Sequence, residues 1–523
     1  MDWIIVLFAC TSLICWFAVV RYDIQMFQQN SYRYSRYWTW LKNGNILRHD
    51  RWFFLFLAAW WILSWNAGST WVASIAFLIF SLKEFRTRYK IKIAYTARVK
   101  RLLAADLVLF ALINAGVYLS LGYEWLCMSV FISLLFSKVI VALADFLMKP
   151  VEIQVNRYYI NDAKRILRSH KDLLVIGVTG SFGKTSTKNA LYRVLSEKYN
   201  VLMTPGNFNT TLGVVRTVRE HLKPFHQVFI VEMGAKQRGD IQEICDLVHP
   251  QIGIVSSVGS MHLETFKTLR GVQDTKFELI NALPADGIGV INMDSEGIAS
   301  YPDIPSHCRI ITYGISSECA EVRAENISYS RRGVSFDAMV SGKPPYGIET
   351  RLMGDGNILN ILAALAVADY LGVPEKRQRS AMASLQPVEH RLSITNKGGL
   401  TVLDDAYNSN PTGARMALSV LRKIADDAGG RAIVITPGFV EMGSSQEEAN
   451  RGLGRDIAAF ADKAIIVNKY NRQAITSGLA ECGFNDENVF CVDSLDQAVA
   501  LLAGMSAAGD VVLYENDLPD TFK

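Results

Sequence analysis

Long apolar runs fill the first 150 residues of this 523-residue chain, and later runs are short. A helix needs about 20 mainly apolar residues to cross a bilayer. Asp2 precedes the first run and Arg21 follows it, whereas a cleaved signal peptide has a basic start. We therefore expect a retained anchor and about five spans, the two shorter runs forming a span pair or a re-entrant hairpin. The five runs are Trp3–Val20, Trp52–Trp65, Thr70–Leu82, Leu102–Leu121 and Trp125–Met148.

Basic residues are concentrated in two loops between these runs. The segment 21–51 holds six Lys or Arg and the segment 83–101 holds eight. Residues 1–150 carry 16 Lys/Arg against 7 Asp/Glu, whereas the remainder carries 38 against 43. By the positive-inside rule, both loops and everything after Lys149 face the cytoplasm. Loops in this position favour anionic lipid headgroups, or a polyanionic lipid-linked substrate, over nucleic acid as partners.

Three charged residues, Asp106, Lys138 and Asp145, fall in or near the apolar runs. Charge at that depth is costly and often marks function. Because the three form no repeated pattern that suggests an ion path, we expect them to face the bundle interior or to reach towards the interface. Pro150 is expected to end the last span, and residues 151–170 to form a polar helical connector.

Beyond residue 170, short apolar strands alternate with helical patterns, which is typical of doubly wound α/β domains. We predict a transmembrane region over residues 1–150. A central P-loop domain over 151–389 and a C-terminal Rossmann-like domain over 390–523 follow. The strands predicted for the last domain are Leu400–Leu403, Ala432–Thr436, Ala464–Val467, Val489–Val492 and Val511–Tyr514.

The segment Gly177–Thr187, Gly-Val-Thr-Gly-Ser-Phe-Gly-Lys-Thr-Ser-Thr, lies between an apolar strand and a helical pattern. Strand, glycine-rich turn and helix together are the context of a phosphate-binding loop. Lys184 is expected to reach the terminal phosphates and the Thr185 hydroxyl to bind Mg²⁺. A helix-capping turn with a surface lysine is the weaker alternative. The other residues expected to bind the nucleotide here are Thr179, Gly180, Ser181, Gly183 and Ser186.

Two further strand ends carry candidate metal ligands. Glu232 ends the apolar strand 228–232, and a carboxylate at that end of a parallel strand lies where it can hold Mg²⁺. His262 follows the strand predicted over 252–257 and is a candidate ligand of a second metal ion. Taken singly, a helix cap or salt bridge would explain Glu232, and an ordinary loop position would explain His262.

Several motifs occur in order along the chain and resemble the Mur ligases, most closely the members that add D-alanyl-D-alanine. They are the phosphate loop, Glu232-Met-Gly-Ala, His262-Leu-Glu-Thr-Phe, Thr275-Lys-Phe-Glu and Asp404-Asp-Ala-Tyr-Asn-Ser-Asn-Pro. The resemblance covers roughly residues 170–523. It implies an ATP-dependent carboxylate–amine ligase in which a peptide carboxylate is first phosphorylated to an acyl phosphate, which an amine then attacks.

The resemblance also assigns roles to metal-site residues. It implies that Thr185 and Glu232 hold one Mg²⁺ and His262 a second, and that Lys184 stabilises the transferred phosphoryl group. Lys276 matches a lysine that the family carbamylates, a change that turns a cation into a carboxylate-like group.

For the nucleotide, the resemblance implies that Asn357 contacts adenine, that Arg391 bridges the domains and touches the phosphates, and that Asp405 binds the ribose. Helix capping is an open alternative for Asn357, which lies ahead of a helix predicted over 361–371. The chain departs from the family pattern at Gly356 and His390, where histidine and glycine are usual, respectively.

Further departures leave the substrates open. Asn450 stands where histidine is common, and the loop 436–443 replaces a related family loop, so either an amino acid or a dipeptide could be the amine. The membrane runs take the place of the UDP-sugar-binding domain, which implies a peptide-bearing cell-wall precursor used at the cytoplasmic membrane face. It can be UDP-linked or lipid-linked. A ligase of another polymer, poly-γ-glutamyl or pseudomurein-type, and an ATPase-coupled transporter are the alternatives.

The cysteines and the overall charge restrict the remaining possibilities. None of the eight cysteines forms a Cys-x-x-Cys pair, which argues against a zinc ribbon and fits a reduced compartment. The net charge of +4 is the sum of a basic segment, residues 1–150, and a slightly acidic remainder. It therefore gives no reason to expect nucleic acid as a partner. The oligomeric state stays open.

Overall fold

A computed structural model of the chain describes all residues except 1, 31, 43–51, 65–69, 88, 90–91, 260–265, 267, 331–332, 388–390, 407–409, 441 and 518–523. The described chain divides into an N-terminal unit that ends at Arg157 and a second unit over Tyr158–Asp517. Each unit is described by itself below.

The N-terminal unit is helical. Its helices are α1 (Asp2–Gln29), α2 (Tyr34–Trp40), α3 (Trp52–Ser64), α4 (Thr70–Arg86), α5 (Ala97–Leu121), α6 (Tyr123–Leu135) and α7 (Ser137–Arg168), the last of which crosses the unit boundary. Large aromatic residues form its core, among them Phe8, Phe77 and Phe131, each at most 1% exposed.

Among the described residues, α1 and α5 are long and apolar enough to cross a membrane, and α6 with α7 adds a third span if this bent pair counts as one. The number is therefore two or three, where the sequence pattern predicts about five. Helices α3 and α4 have 13 and 17 residues. At a rise of about 1.5 Å per residue they are shorter than a hydrocarbon core of about 30 Å.

The last apolar run forms a bent pair of helices. The run 125–148 is divided at Phe136 into α6 and α7, whose axes differ by 78°. Pro150 lies inside α7, which continues to Arg168 over most of the helical connector predicted for residues 151–170. Proline lacks a backbone N–H, so its main cost is one helical hydrogen bond, which a long helix can lose without stopping.

The charged residues of the apolar runs face the interior of this unit, one of the two placements that we expected. Asp106, Lys138 and Asp145 are at most 5% exposed. Trp16 Nε1 donates to Asp106 Oδ1 at 2.9 Å, and Arg98 pairs with Asp145 at 2.9 Å. A buried carboxylate is tolerable when it is paired in this way, so these contacts join helices of the bundle.

The second unit contains two sheets, as the alternating pattern predicts. The first has the strand order β2-β3-β1-β4-β5-β6-β7-β8-β9, parallel as far as β7 and antiparallel beyond it. Its strands are β1 (Leu174–Thr179), β2 (Val201–Met203), β3 (Val228–Glu232), β4 (Ile252–Val255), β5 (Ile288–Asn292), β6 (Arg309–Gly314), β7 (Val322–Ser330), β8 (Gly333–Val340) and β9 (Tyr346–Thr350).

Helices cover this first sheet. They are α8 (Lys184–Leu195), α9 (Thr211–His221), α10 (Asp240–Val248), α11 (Leu269–Asn281), α12 (Glu296–Ala299), α13 (Asp355–Tyr370) and α14 (Glu375–Ala383). Helix α13 is apolar on nearly every side and packs against α8. It begins six residues earlier than the sequence pattern predicts.

The second sheet has the order β10-β11-β15-β12-β13-β14, and only the β10–β11 pair is antiparallel. Its elements are β10 (Ser393–Lys397), β11 (Leu400–Asp405), α15 (Pro411–Ala428), β12 (Ala432–Thr436), α16 (Gln446–Phe460), β13 (Lys463–Val467), α17 (Arg472–Glu481), β14 (Val489–Val492), α18 (Leu495–Met505) and β15 (Val511–Glu515). All five strands predicted from the sequence are present, and their ends agree to within two residues.

Candidate functional site

The glycine-rich loop has the backbone shape that its sequence predicts. Gly183 begins helix α8 with φ +81°, a left-handed conformation that favours glycine. A Cβ atom there would lie 2.6 Å from Asn360 Oδ1, so the space also requires glycine. Lys184 Nζ donates to the carbonyl oxygens of Gly180 and Ser181 at 2.6 and 3.1 Å. The ammonium group thus lies over the loop at the start of α8.

Burial lowers the pKa of the Lys184 ammonium to about 8. Glu232 opposes this shift by attraction, and Arg391 adds to it by repulsion. With a pKa of about 8, the Lys184 ammonium group is still mostly charged at neutral pH. Lys184 is therefore a cation placed where a helix N-terminus also favours anions.

The order of the strands brings Glu232 to this loop. Strand β1 lies between β3 and β4, and Glu232 is in register with Val178, next to the first residues of the loop. Thr185 Oγ1 donates to Glu232 Oε2 at 3.0 Å, and Asn209 Nδ2 donates to Oε1 at 3.2 Å. The carboxylate and the hydroxyl that were expected to hold Mg²⁺ are therefore in direct contact.

Lys188 is a functional candidate that the sequence reasoning missed. It is 1% exposed, and its Nζ lies 2.9 Å from Glu232 Oε2, the oxygen that also accepts from Thr185. Burial alone would raise the pKa of the Glu232 carboxyl, but Lys188 and then Lys184 hold it below its usual range. The signal in the sequence is the spacing of four from Lys184, which places both lysines on one side of α8.

Lys276 lies on α11 and is 4% exposed. Burial, with repulsion from Lys184, lowers its pKa to about 7. A substantial fraction of this amine is neutral at physiological pH, and only the neutral form is a nucleophile. His262, the expected ligand of a second metal ion, lies outside the described residues.

A cleft of about 340 Å³ lies between the two sheet domains of the second unit. Five of the expected nucleotide-binding residues line it, and they come from both domains. These residues are Gly183, Ser186, Asn357, Arg391 and Asp405. The structure thus brings together residues that are more than 200 positions apart in the sequence.

Asp405 closes one side of this cleft. Its Oδ1 accepts a hydrogen bond from the Leu392 backbone N–H at 3.0 Å, where Leu392 has φ +50°. Burial raises the pKa of the Asp405 carboxyl to about 6, with Arg391 and the Leu392 hydrogen bond opposing the shift. A non-glycine residue in the left-handed region is uncommon, so the carboxylate helps to hold the start of the C-terminal domain in a strained conformation.

The two asparagines of α13 do not cap the helix. Gly354 is the N-cap and has no side-chain capping bond. Asn357 faces the cleft and donates to the Met353 carbonyl at 2.8 Å, whereas Asn360 accepts from Thr187 at 2.9 Å. Asn357 is therefore the asparagine available to a ligand, and Asn360 joins α13 to α8.

Two expected loop contacts have side chains turned away from the cleft. Thr179 is fully buried and donates to the Met233 carbonyl at 2.8 Å. Ser181 Oγ accepts from the Gly259 backbone N–H at 3.0 Å. These side chains shape the loop, so only their backbone groups remain for phosphate oxygens.

Residues after β5 also reach the cleft, and the sequence reasoning did not single them out. Asn292 ends that strand and donates to the Ser256 carbonyl at 2.9 Å, and Asp294 follows it in the cleft wall. Their position at the carboxyl end of a parallel strand is the signal that could have found them.

Met416 on α15 occupies the space beside Gly356. A Cβ atom on Gly356 would lie 2.6 Å from Met416 Cε, and both residues line the cleft. Near β12, Asn450 is fully buried and accepts from the Phe439 backbone N–H at 2.8 Å. Met416 thus fills the space beside Gly356, and a contact within the C-terminal domain holds Asn450.

The chemistry of the Thr185 and Glu232 pair fits Mg²⁺, which prefers hard oxygen ligands and commonly binds through one or two carboxylates plus phosphates. Within the described ranges, no group of three or more His, Cys, Asp or Glu side chains is arranged to hold a metal ion. The protein atoms in view thus provide a partial shell that a nucleotide's phosphates would have to complete.

Comparisons with known proteins agree with this arrangement. Family models match residues 178–368, as a Mur ligase middle domain, and residues 390–514, as a Mur ligase glutamate ligase domain. A relative from Mycobacterium bovis, UDP-N-acetylmuramoyl-tripeptide--D-alanyl-D-alanine ligase, is 30% identical over 364 residues, which are 66% of this chain and 70% of the relative. The chain belongs to the Mur ligase family.

Solved structures of Mur ligases share the fold. The crystal structure of MurF from Acinetobacter baumannii aligns with 69% of this chain and 77% of its own, with a TM-score of 0.62 and 24% identity. MurF ligase from Thermotoga maritima, solved in complex with ADP, covers 69% and 80%, respectively, with a TM-score of 0.60 and 24% identity. The P-loop domain and the C-terminal domain of this Mur ligase are thus those of the family.

Proposed function

We propose that this Mur ligase is an ATP-dependent amide ligase that joins D-alanyl-D-alanine to the tripeptide of a cell-wall precursor. The observation that carries the proposal is the cleft between the two domains. It gathers Gly183 and Ser186 of the phosphate loop with Asn357, Arg391 and Asp405 around one space. Relatives that bear the name of this activity add the choice of substrates.

In the proposed reaction, an oxygen of the peptide carboxylate attacks the γ-phosphorus of ATP. The bond between that phosphorus and the β–γ bridging oxygen breaks, and ADP leaves with the bonding electron pair. The amine of the incoming dipeptide then attacks the acyl carbon, phosphate departs, and the amine loses one proton. Both steps develop negative charge on phosphoryl oxygens, which preorganised cations stabilise strongly.

Residues of the cleft and of the adjoining phosphate loop divide this work. Lys184 and Arg391 would neutralise charge on the phosphates, and Asn357 and Asp405 would hold the adenine and the ribose. Thr185 and Glu232 supply the oxygen atoms for one Mg²⁺, which would draw charge from the phosphates when bound. Because the groups come from both domains, the nucleotide would hold the domains together in the reactive arrangement.

Carbamylation of Lys276 and a second Mg²⁺ at His262 extend the proposal. The neutral amine that the lowered pKa of Lys276 provides can add to CO₂, with loss of one proton, to form a carbamate. The product is an anion in place of a cation. It would attract a metal ion where the unmodified lysine, when protonated, repels one.

We further propose that the enzyme works at the cytoplasmic face of the cell membrane and is anchored by several passes of its N-terminal unit. The two or three helices of sufficient length and the basic loop sequences support this. A membrane enzyme could accept a lipid-linked tripeptide, a UDP-linked one or both.

The test uses the full chain purified in detergent. ADP release and product mass are measured with D-alanyl-D-alanine, glutamate and other single amino acids as amines. Each amine is tested on UDP-linked and on lipid-linked tripeptides. We expect ligation with D-alanyl-D-alanine, and ligation at least about a hundredfold slower in Lys184→Ala. Ligation of glutamate instead would favour another polymer, and ATP hydrolysis without an amine would favour a transporter.

A further inference from the structure

Lys188 and Glu232 form a buried ion pair beside Thr185 of the phosphate loop. The two side chains are 1% and 2% exposed. Lys188 Nζ lies 2.9 Å from Glu232 Oε2 and donates to the Gly206 carbonyl at 2.6 Å. Glu232 accepts from Thr185 at 3.0 Å and from Asn209 at 3.2 Å. The carboxylate is therefore held at both of its oxygen atoms.

This arrangement determines how the Thr185 hydroxyl is oriented. Because Thr185 donates its only hydrogen to Glu232, the lone pairs of its oxygen remain available to a cation. Lys188 fixes the carboxylate that accepts this hydrogen. The lysine thus acts on a prospective Mg²⁺ ligand through Glu232 and need not touch a metal ion or a nucleotide itself.

The local charge also matters for a divalent cation. Two ammonium groups, Lys184 and Lys188, act on the single carboxylate of Glu232. Lys188 and a metal ion would compete for the same oxygen, Oε2, and like charges that close together repel strongly in a buried site. The phosphates of a nucleotide would reverse this balance, because they bring several negative charges and their own oxygen ligands.

We infer that Lys188 is a positioning residue that aims Glu232 at Thr185 and holds back divalent-cation binding until a nucleotide is bound. This inference rests on the proposed nucleotide site. It makes the metal ion and the nucleotide bind as a unit, so that the loop is not occupied by the metal ion alone. A purely structural ion pair between α8 and β3 would stabilise the fold without coupling these two ligands.

The experiment measures Mn²⁺ binding to the full chain in detergent by electron paramagnetic resonance, with and without ADP. Four variants are compared with the unmodified protein. They are Lys188→Met, which keeps length and removes charge, Lys188→Arg, which keeps charge, the double variant Lys188→Met/Glu232→Gln, and Lys198→Met. Lys198 is an exposed lysine just beyond α8 whose Nζ donates to two carbonyl groups, so it controls for loss of a lysine.

In the absence of ADP, we expect Lys188→Met to bind Mn²⁺ at least tenfold more tightly than the unmodified protein. The gain in Mn²⁺ affinity that ADP produces should shrink by the same factor. Lys188→Arg should restore the original coupling, the double variant should lose the tight binding, and Lys198→Met should change neither. If Lys188→Met fails to fold by thermal melting, Lys188→Gln, which keeps a hydrogen-bond donor, gives the same comparison.

Nucleotide-free Mn²⁺ affinity within twofold of the original in a folded, uncharged Lys188 variant would overturn the inference. Failure of the proposed function would give a different result in this experiment. In that case the unmodified protein would show no ADP-dependent gain in Mn²⁺ affinity and no ligation with any amine.

Discussion

Asp405 gives the sharpest test of the cleft, because its protonation should control nucleotide affinity. Burial raises the pKa of this carboxyl to about 6 from an ordinary value of 3.8. If the ionised form accepts hydrogen bonds from the ribose hydroxyls, affinity should be full above pH 6 and fall as the pH drops through 6. An Asp405 with its ordinary pKa would show no change until pH 4.

The size of the effect follows from the titration. With a pKa near 6, about nine tenths of the Asp405 side chains are ionised at pH 7 and about one tenth at pH 5. The dissociation constant for ADP should therefore rise about tenfold between these values if only the ionised form binds. Stability should move the other way. A carboxyl whose folded pKa lies above its unfolded pKa destabilises the fold at neutral pH, and this cost is relieved as the pH falls through 6.

The assay is calorimetric titration of ADP into the full chain in detergent between pH 5 and 8. The phosphate groups of ADP also titrate at about pH 6, which would change its affinity independently of Asp405. The same series is therefore run with Asp405→Asn. The amide still accepts from the Leu392 N–H and cannot ionise, so the ratio of the two dissociation constants isolates Asp405. Asn should also raise the melting temperature at pH 7 without nucleotide.

A ratio that stays constant from pH 5 to 8 would refute the reasoning. It would mean that the Asp405 carboxylate does not contact the nucleotide, or that its pKa is not raised.

Three more predictions concern the other cleft and loop residues. Lys184→Ala should lower kcat for ADP release by about a hundredfold to a thousandfold, because it removes a cation from the transferred phosphoryl group. Glu232→Ala should abolish ADP release. Near-normal turnover in Lys184→Ala would contradict the role assigned to Lys184. Asn357→Ala should raise the ATP KM about tenfold, the value of one hydrogen bond to a buried group, with kcat nearly unchanged in steady-state assays. If Lys276 is carbamylated, activity should fall in CO₂-free buffer and recover with bicarbonate. The variant Lys276→Arg should be inactive under both conditions. Equal activity of the unmodified protein with and without CO₂ would count against the modification.

The sequence alone was sufficient for features that depend on local spacing. Gly183 and Lys184 stand at fixed distances between a strand and a helix, and the φ of +81° at Gly183 is a local backbone requirement. Alternation of apolar strands and helices predicted both sheet domains, because burial of both faces of a parallel sheet imposes that pattern. Glu232 could be placed beside the loop by the same reasoning about strand ends.

Features that depend on distant packing came only from the tertiary structure. Nothing in the spacing of α8 shows that Lys188 is paired with Glu232, and the burial that lowers the Lys276 pKa arises from neighbours far along the chain. The cleft itself needs Asp405 and Asn357 brought together from two domains. In the N-terminal unit, apolar composition fixed where helices form but not the 78° bend after α6.

The physical reason is the same in each case. Hydrophobic periodicity and turn chemistry act over a few residues, so they determine an element and the backbone at its ends. The partners of a buried charge, the value of a pKa and the walls of a cleft depend on which elements become neighbours, and sheet order and helix packing decide that only when the whole chain has folded.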